Sequence, residues 1–295
     1  MRCFILLAAL AALVVAGCGG SSSARKGPSA LLYVSTQDDD YAIFGADADG
    51  KHSYRLTKER GDASTPQGLF FQTSPAWSPD GKRIAFVSRR DGHGHIYVMS
   101  ADGTGTRQVT TGAKEDDHPS WSPDGKRIVF AREGALFVVP STGGRVKRIG
   151  KGFGNAADPV WSPDGKYIAY DYRMPGFAIR EIWLMNADGT GIRKLTKLES
   201  KSASPSWSPD GSKIAFESDA AGGPANIFTV ELVNGQSSHL SESDIDEIQP
   251  TWAPDGVTVT FARDGSLWNV RINKETKLTA GPNDSAPAWN PRPPK

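Results

Sequence analysis

The pentapeptide Trp-Ser-Pro-Asp-Gly recurs along the chain at a near-constant interval, which restricts the fold to one assembled from equivalent units. Full copies begin at Trp77, Trp121, Trp161 and Trp207, followed by the variant Trp252-Ala253-Pro254-Asp255-Gly256 and the truncated Trp289-Asn290-Pro291. Successive tryptophans lie 44, 40, 46, 45 and 37 residues apart, spacings that suit four-stranded propeller blades. After each pentapeptide come an apolar strand, a polar loop, a second apolar strand, a turn of the Ala-Asp-Gly kind and a final strand. The unit of Trp121 predicts a first strand at Pro119-Ser120-Trp121 and others over 126–131, 135–139 and 145–149, rich in β-branched and aromatic residues.

The turn residues have a conformational reason. Proline presets φ near −65°, aspartate accepts nearby backbone N–H groups, and glycine takes the positive φ that closes a hairpin. Asp80, Asp124, Asp164, Asp210 and Asp255 recur in unit after unit, so they are assigned to turns rather than to chemistry. The repeated tryptophans are assigned to packing between neighbouring blades.

The expected fold class is all-β: a six-bladed propeller of four-stranded antiparallel blades over residues 30–295. The units are permuted relative to the chain ends. Ala30-Leu31-Leu32-Tyr33-Val34-Ser35 aligns with a second strand and lacks a first, whereas Ser285-Ala286-Pro287-Ala288-Trp289 is a first strand with no successor. The C-terminal strand is therefore expected to complete the first blade, closing the ring and removing two sheet edges.

Residues 1–17 read as an export signal: Met1-Arg2-Cys3 precedes an apolar run over 4–16, too short to span a membrane as a helix. Val15-Ala16-Gly17-Cys18 resembles the bacterial lipobox, which implies cleavage before Cys18 and its lipidation. Residues 18–29, rich in glycine and serine, have the composition of a flexible tether. The expected location is the cell membrane, lipid-anchored, facing the periplasm or cell exterior. The 34 Lys and Arg against 33 Asp and Glu balance once Arg2 is removed, giving no basic surplus for nucleic acid. A monomer is expected.

Trp77-Ser-Pro-Asp-Gly-Lys-Arg-Ile-Ala-Phe86, the following Ile-Tyr-Val-Met-Ser-Ala-Asp-Gly and the terminal Leu-Thr or Val-Thr of the units resemble the TolB-type, WD40-like (PD40) propeller repeat. The resemblance covers nearly everything after residue 29. It implies a TolB-like extracytoplasmic lipoprotein with an envelope protein or peptide as partner. Proteins of the TolB family carry an α/β domain ahead of the propeller, where this chain has the tether. The repeat also resembles the propellers of prolyl-oligopeptidase-type enzymes, but the sequence holds no Gly-x-Ser-x-Gly nucleophile elbow and no room for a hydrolase domain.

Partner contacts are expected at the channel mouth, in the loops that lead into each first strand. Alignment on the proline two residues before each tryptophan places Glu115, Asp116, Asp117, His118, Asp158, Asp246, Glu247, Gln249 and Asp284 there. This acidic set would attract a cationic peptide segment or a divalent cation. No other cofactor is implied. His93-Gly94-His95 lies in a predicted hairpin loop and is read as solvated, and His118 alone of the five histidines falls at the mouth. The leading function is non-catalytic binding of a protein or peptide. The alternative is a metal-assisted lyase or hydrolase acting on a carbohydrate or lactone, its carboxylates serving as metal ligands or as acid and base.

Overall fold

The computed structural model describes residues 29–36, 41–57, 72–150, 155–271, 274–281 and 283–293. The signal segment, Cys18 and nearly all of the tether lie outside them. Among the described residues no helix is long and apolar enough to cross a membrane. Among these residues twenty-four strands form six four-stranded antiparallel sheets arranged as blades in a ring, as the periodicity requires. The unit of Trp121 shows the pattern: Asp116–Trp121 is innermost, followed outward by Arg127–Arg132, Ala135–Pro140 and Lys147–Ile149. The C-terminal strand Ser285–Trp289 pairs with Leu31–Ser35, Leu31 opposite Trp289, and Asn290 N–H donates to the Ala30 carbonyl at 2.8 Å. The ends of the chain thus close the first blade.

The pentapeptide builds the same turn repeatedly. Ser78 Oγ donates to Asp80 at 2.6 Å and accepts the Arg83 N–H at 2.9 Å, Asp80 accepts the Lys82 N–H at 3.1 Å, and Gly81 sits at φ +68°. Asp124, Asp164 and Asp210 repeat these contacts, and Asp255 accepts the N–H groups of Val257 and Thr258. The bonds to Ser208 and Ser212 hold the Asp210 carboxyl down to about 2. The serine, which accepts one backbone bond while orienting the aspartate, is as much part of the turn as the aspartate. The terminal threonines also hold backbone in place, the hydroxyls of Thr57, Thr110, Thr196 and Thr279 each accepting an N–H from the start of the third strand.

The core lies between blades. Trp121 packs with Ala85, Val87, Ile96 and Val98 of the blade before it and with Ile128 and Phe130 of its own. Its indole N–H donates to the Ala76 carbonyl at 3.1 Å, as that of Trp207 does to Val160 at 3.2 Å. Tyr33, Phe86, Phe130, Phe216 and Phe261, each from a second strand, are fully buried. Truncating any of them to alanine removes about 3–5 kcal/mol of packing.

One local departure from the regular ladder positions the channel. In each blade the residue before the inner-strand proline adopts a left-handed backbone: Ser74, His118, Asp158, Ser204, Gln249 and Ala286 all lie at φ between +47° and +56°. The pairing register shifts at this point in every blade. Proline has no N–H to give to the ladder, so the strand bulges there. The bulge also corrects an expectation. Asp116, Asp117, His118, Asp158, Glu247 and Gln249 belong to inner strands rather than to the loops ahead of them.

Candidate functional site

The six left-handed residues form a ring around the channel, and the prolines after them form a collar beneath it. Together with the residues that follow, they line a cavity of about 360 Å³. The opposite end of the channel is ringed by the six repeat tryptophans and by Pro79, Pro123, Pro163, Pro209, Pro254 and Pro291. Charged side chains, His118 and Asp158, thus stand at one end, the polar end, whereas tryptophan and proline rings dominate the other.

The nine residues expected at the mouth separate into three groups. His118, Asp158 and Gln249 stand in the ring, with Asp117 exposed beside it and accepting a bond from Ser74 at 3.2 Å. Glu115 and Asp246 brace the rim, accepting the backbone N–H groups of Gly94 and Ala225, each at 2.8 Å. Asp116, Glu247 and Asp284 do not reach the channel. All three sit three residues before the proline, where the side chain turns into the blade, and are 1%, 0% and 1% exposed. Arg132 holds Asp116 in a two-pronged ion pair, and Arg263 holds Glu247 at 2.8 Å. His95, expected in a solvated loop, is instead buried in a strand, 3.6 Å from Asp116.

Three charged residues at this end of the channel escaped sequence reasoning. Asp171 and Glu217 pair with Ala157 and Ala203, two residues before the prolines of the fourth and fifth blades. The corresponding positions of the other blades hold Val34, Val87, Ala131 and Ala262. Arg180 opens the third strand of its blade, at the position where Gly94, Gly134, Ala225 and Gly265 stand just ahead of that strand in four others. The signal was available as two acids and one arginine at positions that are otherwise small or aliphatic.

These residues form one electrostatic group. His118 Nδ1 lies 2.9 Å from Asp158 Oδ1, Ser204 Oγ donates to Asp158 at 3.3 Å, Arg180 donates to Asp171 at 2.6 Å, and Glu217 accepts the Gln249 N–H at 2.6 Å. Desolvation opposes charge on His118, but the adjacent Asp158 carboxylate prevails and raises the ring to about 10. Burial also works against the Asp158 carboxylate, yet His118 keeps its pKa below the usual range. Asp171 rises to about 7 through burial and the nearby Asp158 charge, against the pull of Arg180. Glu217 rises to about 7 chiefly through burial, with the Gln249 N–H opposing and Asp158 adding to it.

All three raised values act on stability in the same direction. Protonated Asp171 and Glu217 contribute fully below their unfolded values of about 4, and that contribution is lost as pH climbs through 7. Protonated His118 contributes fully below about 6.5 and is lost toward 10. The melting temperature is therefore expected to fall between pH 5 and pH 9. In Glu217→Gln the decline below pH 8 becomes shallower while that above it persists, which thermal melts at stepped pH would show.

Among the described residues, the acidic and histidine groups whose ligand atoms all come within 4.8 Å of one another are Asp47, Asp49 and His52, on an exposed turn of the first blade and not in the channel.

Six closed blades around a channel with one charged end define a six-bladed β-propeller whose variable chemistry faces the axis. The TolB β-propeller domain (PD40) model matches residues 67–179 and 142–293, and the chain belongs to this family. The Tol-Pal system protein TolB of Hahella chejuensis is 45% identical over 74 residues, 25% of this chain and 15% of that protein. An uncharacterized peptidase, YuxL, of Bacillus subtilis is 40% identical over 55 residues, 18% of this chain and 8% of that one. Both matches span a small part of the relatives' length. Among solved structures, TolB from Acinetobacter baumannii superposes with a TM-score of 0.75 at 24% identity, covering 89% of this chain and 66% of that one. An oligogalacturonate lyase from Vibrio parahaemolyticus, at 15% identity and a TM-score of 0.56 over 88% of this chain and 80% of its own, shares the fold.

Proposed function

We propose that the chain is a non-catalytic binding propeller of the bacterial envelope, held at a membrane by lipid on Cys18, which docks a segment of a protein partner on the polar end of its channel. The observation that carries this reading is the ring before the prolines. There the six blades present Ser74, His118, Asp158, Ser204, Gln249 and Ala286, while the turns and packing positions around them repeat. Variation at one accessible ring of a repetitive scaffold is what a binding surface requires.

The surrounding rim supports it. Each inner strand begins at the end of the ring where the second strand finishes, so the loop over residues 174–179 lies at the polar end. It exposes Met174 and Phe177, and Tyr41 and Ile245 are exposed at the same end. Apolar side chains around a charged well suit a protein partner better than a small sugar. The naming of relatives as Tol-Pal system proteins agrees with an envelope location.

Affinity capture from envelope extract with the full chain tests the reading, run beside Asp117→Ser/His118→Ser/Asp158→Ser. A partner held by the parent and lost by the triple variant is the expected result. Equal retention by both places docking elsewhere.

A further inference from the structure

With its three carboxylates ionised, the charged group at the polar end does not balance. Asp158, Asp171 and Glu217 are three carboxylates, and they face two cations, His118 and Arg180. Arg180 bonds one oxygen of Asp171; the other, Oδ1, is buried with no hydrogen-bond partner. Glu217 accepts one backbone N–H and has no arginine or lysine of its own within ion-pair distance among the described residues. A buried acceptor left without a donor costs about 1–3 kcal/mol. With all three carboxylates ionised the group is one positive charge short, a charge that protons on Asp171 and Glu217 supply as the pH falls through about 7.

We propose that the polar end of the channel is a receptor for a primary ammonium, the side chain of a lysine on the docked partner, received beside Asp158 on the ring with Asp171 and Glu217 behind it. This rests on the docking reading above and specifies its chemistry. One ammonium brings the missing charge and three donors. Its four-carbon stem has an apolar wall to lie against in the proline collar. A metal ion would need several oxygens converging on one point, whereas a donor on a flexible stem needs one or two acceptors within reach. Asp171 faces Asp158 from its own inner strand, Arg180 from the next strand and His118 from the blade before. Glu217 faces Ser204 on its own blade, the Gln249 N–H from the blade after, and Asp158 and Arg180 from the blade before.

Entry of the cation favours the ionised carboxylates, so binding expels protons to solvent. With one proton released from a group titrating near 7, affinity rises about tenfold from pH 6 to pH 8. The test measures binding of Nα-acetyl-lysine methylamide and its uncharged norleucine counterpart to the full chain by ligand-observed NMR at both pH values. The lysine probe is expected to bind about tenfold more tightly at pH 8, with the norleucine probe weaker and indifferent to pH. Glu217→Gln, less buried than Asp171→Asn and so the safer variant to fold, is expected to flatten the dependence. Equal affinities at the two pH values, norleucine binding as well as lysine, or no binding of either probe overturns the ammonium receptor. A partner captured from extract by the parent and lost by the triple variant would still stand in each of those cases, so the two readings fail separately.

Discussion

Replacing Arg132 by methionine is expected to cost about 3–5 kcal/mol, because it removes the cation from a buried pair and leaves Asp116 charged inside the third blade. Asp116 has no exposed side-chain surface and receives two donors from Arg132, while His95 lies 3.6 Å away on the adjacent blade. Methionine keeps much of the volume that arginine packs over Phe130 and Phe137, so the loss reads the unpaired charge more than a cavity. The double variant Asp116→Ala/Arg132→Met is expected to recover much of the loss, since no charge then remains to be buried. Urea denaturation of the three proteins checks this. A double variant as unstable as the single one would show that the deficit is packing. Glu247 with Arg263 is the same device in the sixth blade, and Arg263→Met is expected to behave alike.

The larger effect is expected from the closing strand. A chain ending at Gly281 loses Ser285–Trp289, the innermost strand of the first blade, and exposes the edge of Leu31–Ser35 together with the packing of Trp289 against the first-blade core. The loss is on the order of 5 kcal/mol or more, comparable with the whole stability of a domain, and the bared edge invites pairing between chains. The truncated protein is expected to aggregate or to melt without cooperativity. A peptide spanning residues 282–295, added in trans, is expected to restore a monomer by strand addition. Size-exclusion chromatography with and without the peptide decides the matter, and a truncated monomer with the parent's melting midpoint would show that the ring does not depend on its closure.

The blades were legible in the sequence because their determinants are local. Each turn draws its hydrogen bonds from within a few residues, so a recurring pentapeptide carries a recurring geometry. Ring closure was legible because one unit lacked a first strand and another had nothing else. The site was less so. Asp116 and His118 are two residues apart and would share a face in a regular strand. The bulge that takes in His118 and Pro119 breaks the alternation, leaving Asp116 turned into the blade and His118 toward the channel. No reading of composition at the mouth separates the two without that backbone. Asp171, Arg180 and Glu217 lie on second and third strands, outside the inner-strand alignment, and their chemistry comes from neighbours contributed by other blades.

The six left-handed residues have a meaning beyond aiming side chains. Each stands in its own blade, cut off from the alternating ladder by the bulge and followed by a proline that fixes the chain beneath it. A non-glycine residue accepts this conformation at a cost of about 1–2 kcal/mol, and the blades absorb that cost at all six positions. The ring is thus a six-character word, Ser-His-Asp-Ser-Gln-Ala, written on a scaffold whose turns and inter-blade core do not depend on its spelling. A descendant could be given a different word, one character at a time, while every turn, tryptophan and buried pair stayed as it is.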